Sequence, residues 1–226
     1  MKGGDNMDKI VQYISENWIA IISLIISVYT IWKQRIKLTV TFQQNMLIDH
    51  PDAVFMLGPN GEIRSHHSTA QTQIEIVNSG TNDVAFFDLR VFDGLTNRNI
   101  PFITENTIPI EYPDKKVFTL FDETYYQLDI PKRTFGVFKA NSFTKMSIVV
   151  ILDKLPKELE NIDNIHISFK IARDAYFKKD KFAVTNRKKF DFFGMNYSIT
   201  GWKEMYNKLL QEQQTQLESE KQNKQE

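Results

Sequence analysis

The spacing of apolar and polar positions changes three times along this chain. Over residues 17–32, NWIAIISLIISVYTIW, apolar side chains fall on every face of a helix and no charge interrupts them. From Leu38 the period becomes two: Leu38, Val40 and Phe42 alternate with Thr39, Thr41 and Gln43, which predicts a strand. Near the end a helical stripe returns, with Trp202, Met205, Tyr206, Leu209 and Leu210, after which Leu217 is the one further apolar residue.

The uncharged run is long enough to matter. As a helix it rises about 24 Å, somewhat short of a hydrocarbon core of roughly 30 Å. Ile10, Val11, Tyr13 and Ile14 extend its apolar character upstream. Trp18 and Trp32 stand where interfacial aromatic belts belong, and Lys33, Arg35 and Lys37 follow as membrane-interface cations. A transmembrane anchor is therefore expected over residues 17–36. A buried helix of a soluble domain would show a stripe, and a cleaved leader would show a basic start and a small-residue cleavage site; neither pattern is present. Upstream, Lys2 and Lys9 face Asp5, Asp8 and Glu16, whereas the three downstream cations have no acid near them. The positive-inside rule then leaves residues 1–16 outside and the C-terminal domain in the cytoplasm, as a single-pass protein of the cell membrane.

Between the anchor and the final helix the strand signals recur about every ten residues. VFMLGPNGEIRS carries a Pro-Asn-Gly turn between short strands. In TQIEIVNSGTNDVAFFDLRVFDG, Ile74 and Ile76 lead into Asn78-Ser79-Gly80. Val84, Phe86, Leu89 and Val91 lead out, as a hairpin would, and Asp93-Gly94 marks another turn. Further strands are expected at 116–121, 125–130, 134–138, 143–152, 164–172 and 182–185, with a short helix or structured loop at DKLPKELENID. No helices alternate with the strands, which disfavours a parallel α/β fold. The expectation is a mainly β protein: an antiparallel β-sandwich over residues 38–199, of which an immunoglobulin-like sandwich is one form. A C-terminal helix and polar tail follow at 200–226, the helix docked to about Gln211.

Composition narrows the chemistry. Lys plus Arg equals Asp plus Glu, so net charge exerts no global pull on nucleic acid or anionic lipid. The absence of cysteine excludes disulfides, thiolate metal sites and a cysteine nucleophile. Of the four histidines, the adjacent His66 and His67 cannot share a strand face. Lacking any metal-ligand spacing and set among Arg64, Ser65, Ser68 and Thr69, they read as a polar surface loop. No phosphate loop, dinucleotide fingerprint or nucleophile elbow occurs. No catalytic residue, metal ligand or cofactor is assigned, and a non-enzymatic protein is expected; the alternative is a membrane-associated enzyme without a recognisable motif, its catalytic groups drawn from distant strands.

One stretch stands apart, FKIARDAYFKKDKFAVTNRKKFDFF at 169–193. Its candidate anionic-ligand surface is Lys178, Lys179, Lys181, Arg187, Lys188 and Lys189 with the rings of Tyr176 and Phe177. Cations beside stacking platforms suit single-stranded nucleic acid. The same mixture suits anionic headgroups close to a tether. A plain half-buried hairpin, Phe inward and Lys outward, is the reading the alternation favours over both.

The anchor at 17–37, the β-rich domain from Leu38 and the basic–aromatic stretch at 169–193 together resemble small bacterial membrane-anchored phage-resistance proteins of the abortive-infection and superinfection-exclusion types. Richness in Lys, Asn, Ile and Phe likewise resembles the product of an AT-rich Gram-positive genome. The resemblance is one of layout over the whole chain. It implies a membrane-tethered, non-enzymatic role in blocking phage DNA entry or replication, and it carries over no functional residue. The segment IEIVNSGTNDVAFFDLRVFD is similar to a strand–turn–strand of bacterial immunoglobulin-like domains. The expected partners are the membrane and another protein, with single-stranded nucleic acid or anionic lipid as the alternative.

Overall fold

The computed structural model describes residues 4–33, 36–122, 124–153, 155–159, 162–172 and 190–223. Helix α1, Gly4–Lys33, contains the uncharged run and starts well before it. Its segment Gln12–Thr30 is long and apolar enough to cross a membrane, and none of it is buried against the rest of the protein. Such a helix fits an anchor or a signal sequence by length and composition; a core helix of a soluble domain would be covered. Trp18 is exposed, Lys37 lies beyond the helix, and Trp32 and Lys33 belong to its last turn. Arg35 is outside the described residues.

Strand β1, Leu38–Phe42, follows the helix after four residues and carries the expected alternation, Leu38, Val40 and Phe42 half-buried and the threonines exposed. It pairs antiparallel with β5, Thr69–Asn78, whose other edge pairs along its whole length with β10, Ser142–Ile151. The two-residue strand β2, Leu47–Ile48, continues along the β1 edge. These four strands form sheet I.

Sheet II has the order β12-β11-β6-β9, with β6 at Val84–Asp93, β9 at Gly136–Phe138, β11 at Asn164–Ala172 and β12 at Phe190–Ser198. Sheet III, β4-β3-β7-β8, is built from β3, Val54–Leu57, β4, Ile63–His66, β7, Val117–Phe121, and β8, Thr124–Leu128. Every pairing among the named strands is antiparallel.

Sheets I and II face each other across the main core, so the protein is a β-sandwich. Ile74, Ile76, Ile148 and Val150 from sheet I meet Phe86, Leu89, Ile167, Phe169 and Phe138 from sheet II. Fully burying one such side chain contributes roughly 1.5–3 kcal/mol. A smaller core, with Val54, Met56, Val117 and Val149, joins sheet III to the outer side of sheet I. Strand β10 records both environments: Phe143 and Lys145 are exposed, whereas Met146 to Val150 are buried without a break. Period two holds where one face is wet and is lost where both are covered.

The segment expected to be a hairpin at 71–94 is not one. β5 and β6 lie in different sheets, and the Asn-Ser-Gly corner carries the chain across the core. Asn78 holds that corner. Its buried amide donates to the carbonyls of Asn82, Phe138 and Lys139, and its Oδ1 accepts from Gly80 N. β5 cannot pair with β6 because both of its edges are taken. The spacing 84, 86, 89, 91 has a second cause, a bulge. Asp88 adopts φ 56°, the register with β11 shifts there, and inward alternation resumes one residue later at Leu89.

Strand β12 was absent from the sequence expectation, and the strand expected at 182–185 lies outside the described residues. The segment 157–159 forms one 3-10 turn. Helix α2, Trp202–Asn223, runs beyond the expected docked portion, with Trp202 buried in the main core and Tyr206 packed against it.

Candidate functional site

The outward face of sheet II is assembled from β6, β11 and β12 in three cross-strand rows. Register sets Phe87, Lys170 and Phe192 side by side, then Arg90, Ser168 and Gly194, then Phe92, His166 and Asn196. Same-face neighbours along a strand stand about 6.7 Å apart, so successive rows are close enough for their side chains to touch. The bulge at Asp88 brings both Phe87 and Arg90 outward.

Rings and cations interleave on this face. Arg90 Cζ lies 4.9 Å from the centroid of Phe92, and Lys170 Nζ 5.0 Å from that of Phe190. The His166 ring is 4.9 Å from Phe92 and 6.2 Å from Phe192, nearly parallel to the latter at 20°. Phe190 meets Phe87 edge-on at 6.1 Å. A side chain at Gly194 would place its Cβ 2.7 Å from His166 Nε2, so this glycine is what lets the imidazole lie flat toward Phe192. Burial holds the imidazole below its ordinary pKa, so at neutral pH it stacks as an uncharged ring.

The cations are held in place. Lys170 Nζ donates to Asp88 Oδ2 at 2.5 Å, and Arg90 is forked onto Asn99 Oδ1 at 2.8 and 3.0 Å with Asn97 Oδ1 at 3.4 Å. Phe192 is 54% exposed and Phe87 37%, so ring faces remain open to a partner. Such a field can stack planar groups beside the Arg90 guanidinium, which neutral amides hold, whereas Asp88 offsets the charge of Lys170.

The basic–aromatic stretch is only partly within view. Lys178, Lys179, Lys181, Arg187, Lys188, Lys189, Tyr176 and Phe177 lie outside the described residues. Its two ends belong to β11 and β12. Phe169 and Phe193 turn inward and stack at 5.4 Å, as a plain hairpin requires, whereas Lys170, Phe190 and Phe192 turn outward together. Sequence reading missed Phe87, Arg90, Phe92 and His166 as members of this field. Their signal was the off-phase set 87, 90, 92 beside the inward set 86, 89, 91.

A second polar cluster occupies the end of the sandwich opposite the start of β1. His66 and His67 point apart, as expected, and only part of the expected polar surface loop is at the surface: His67 is exposed in the bend between β4 and β5, whereas His66 is buried at the end of β4, Ser68 in the bend and Thr69 at the start of β5. His67 Nδ1 lies 3.0 Å from Asp52 Oδ1, which also accepts from Ser65 Oγ at 2.6 Å. His66 Nδ1 stands 4.0 Å from Asp153. Tyr206 donates to the carbonyl of His67 at 2.7 Å; burial first, then Asp52 and Asp153, push its hydroxyl pKa up. Beside them is a cavity of about 240 Å³ lined by Ser68, Leu152, Trp202 and Asn207 among others. The buried Ser68 Oγ bonds to neither imidazole, so no activated Ser–His pair is assembled. Nearby, Asp49 accepts from Thr69 Oγ1 and Gln71 Nε2, and burial raises its pKa to about 7. Among the described residues no group of three or more His, Asp or Glu is placed to hold a metal ion.

No protein-family model and no curated protein sequence matches the chain. Among solved structures, it is similar to the yjhA protein from Bacillus subtilis over 58% of this chain and 73% of that one, at 8% identity and TM-score 0.32. It is similar to the ASH / PapD-like domain 7 of human CEP192 over 72% and 82%, at 10% identity and TM-score 0.29. The ycdA protein from Bacillus subtilis matches over 70% of this chain and 38% of that one, at 10% identity and TM-score 0.25. At overlaps this low, the architecture rests on the chain's own antiparallel register and its shared core: a β-sandwich with an N-terminal helix apolar enough to be a membrane anchor or a signal sequence.

Proposed function

We propose that this chain is a single-pass membrane protein whose sandwich is a non-enzymatic binding module on the cytoplasmic face, with the outer face of sheet II as its binding surface. The observation that carries the reading is the ordered field of Phe87, Phe92, His166 and Phe192 between Arg90 and Lys170. Exposed rings held in register are costly to leave in water, and aromatic and arginine side chains dominate binding hot spots. The anchor would raise the module's effective concentration for membrane-proximal partners. Phage exclusion, implied by the resemblance in layout, is the proposed setting.

The leading partner is a protein. Single-stranded nucleic acid is the second reading, favoured by the near-parallel His166 and Phe192 rings close to the Arg90 guanidinium, an arrangement onto which bases stack at about 1–3 kcal/mol each. One experiment tests both. A photo-crosslinking residue replaces Phe192, or Phe121 of sheet III as reference, in the full-length protein in cells. Adducts specific to the Phe192 position are expected. Protein adducts support the first reading, and nuclease-sensitive adducts with salt-dependent binding support the second. Equal labelling from both positions would refute this face as the binding surface.

A further inference from the structure

The outer face of sheet I is covered over only half its length. Sheet III lies on the half of β10 that contains Val149 and Ile151. Among the described residues no element packs over the other half, and its first outward row is Thr39, Val77 and Phe143, set side by side by the register of β1, β5 and β10. Val77 is 41% and Phe143 60% exposed. The next outward row, Thr41, Glu75 and Lys145, is polar, so the apolar patch stops within one row of the end of the sheet.

That end is the one from which the chain leaves for α1. Helix α1 closes at Lys33 and β1 opens at Leu38. Fully extended, that connection reaches at most about 18 Å. With α1 as the membrane anchor, on which this inference rests, Val77 and Phe143 are confined to the neighbourhood of the bilayer surface.

We propose that sheet I leans on the lipid bilayer through this row, with Phe143 and Val77 entering the boundary between headgroups and acyl chains. The tether makes the contact intramolecular, so a small patch suffices where it could not hold a free protein to a membrane. The polar row behind it sets the depth, with Lys145 and Glu75 remaining among headgroups. A second copy of the chain fits the patch poorly, because two apolar residues bury far less than the roughly 1,000 Å² of a stable interface. The contact fixes the sandwich by two points, the tether and the leaning row. It leaves the aromatic field of sheet II facing away from the lipid.

The chain has no cysteine, so single labels are specific. Full-length F143C, V77C and, as a reference at the far end of β6, L95C are spin-labelled and reconstituted in lipid nanodiscs. Accessibility to oxygen and to a water-soluble nickel chelate is then measured. Labels at 77 and 143 are expected to show an oxygen-to-nickel ratio several-fold above the label at 95. Equal ratios at all three positions, with the protein still in the discs, would overturn the leaning contact alone. Shielding from both reagents with dipolar coupling between labels would overturn it in favour of self-association. Protein that separates from the discs would overturn the anchor reading and the contact with it.

Discussion

Replacing Asn78 should unfasten the corner between the two sheets. The residue is 1% exposed. Its two amide hydrogens serve three carbonyl oxygens, those of Asn82 at 2.9 Å, Phe138 at 3.2 Å and Lys139 at 3.0 Å, so one hydrogen is shared. Its Oδ1 accepts from Gly80 N at 3.0 Å. Each bond is worth about 1 kcal/mol net, and the buried Phe138 carbonyl left bare costs about 1–3 kcal/mol more. Water can reach some of the other groups, so Asn78→Ala should cost about 3 kcal/mol. Asn78→Asp keeps the size but aims an acceptor-only carboxylate at the same oxygens, and should cost more than Asn78→Ala at pH 8. The new carboxyl would have its pKa raised in the folded state. Its extra cost is therefore absent below the pKa of the unfolded carboxyl, about 4, grows as pH rises from there, and is complete above the raised folded value. Urea unfolding in mild detergent, followed by fluorescence of the core residue Trp202, measures both variants at pH 5 and pH 8. An Asn78→Asp protein within about 0.5 kcal/mol of the parent at pH 8, the range of neutral surface changes, would refute the role of this amide.

Other consequences are open to measurement. Asp49 is buried and holds its proton up to about pH 7, whereas an unfolded aspartate releases it near pH 4. It therefore lowers stability progressively between those values, by up to about 4 kcal/mol, and Asp49→Asn should flatten the fall seen by denaturation across that window. Gly194→Ala should push His166 off Phe192; a cost of about 1–3 kcal/mol from overpacking and weakened crosslinking at position 192 are expected, and unchanged crosslinking would argue against the ordered ring field. Leu24→Arg, in the middle of the apolar helix, should weaken insertion by about 2.5–3.5 kcal/mol, read as protein shifted from membrane to soluble fractions. Leu95→Cys, fully outside the core, should resist impermeant thiol reagents in intact cells; ready labelling would place the domain outside.

How much was legible follows the range of the forces involved. The anchor candidate was read from a run of uncharged residues, because transfer into a hydrocarbon layer depends on the segment itself. The faces of β1, β5 and β6 were read from alternation, since pleating sends neighbouring side chains to opposite sides wherever the strand goes. Even the bulge at Asp88 left its mark in the step from Phe86 to Leu89. β12 left none: in FDFFGMNYS aromatic residues face both ways, Phe190 and Phe192 outward and Phe193 and Tyr197 inward, so no two-fold pattern survives.

Strand partnership had no such local mark. Asn78-Ser79-Gly80 announces a reversal, but whether it closes a hairpin or crosses between sheets depends on which distant strands claim the edges of β5. β1 and β10 claim them, and β6 is left to β11 and β9. The aromatic field has the same origin. Phe92 and His166, or Arg90 and Gly194, lie more than seventy positions apart and meet only because β6 and β12 flank β11. Local sequence thus determined the apolar helix, most strand faces and the turns. Pairing, and with it the aromatic field on the outer face of sheet II, was decided by the tertiary structure, because burying two sheets against each other is a sum over contacts that no single segment contains.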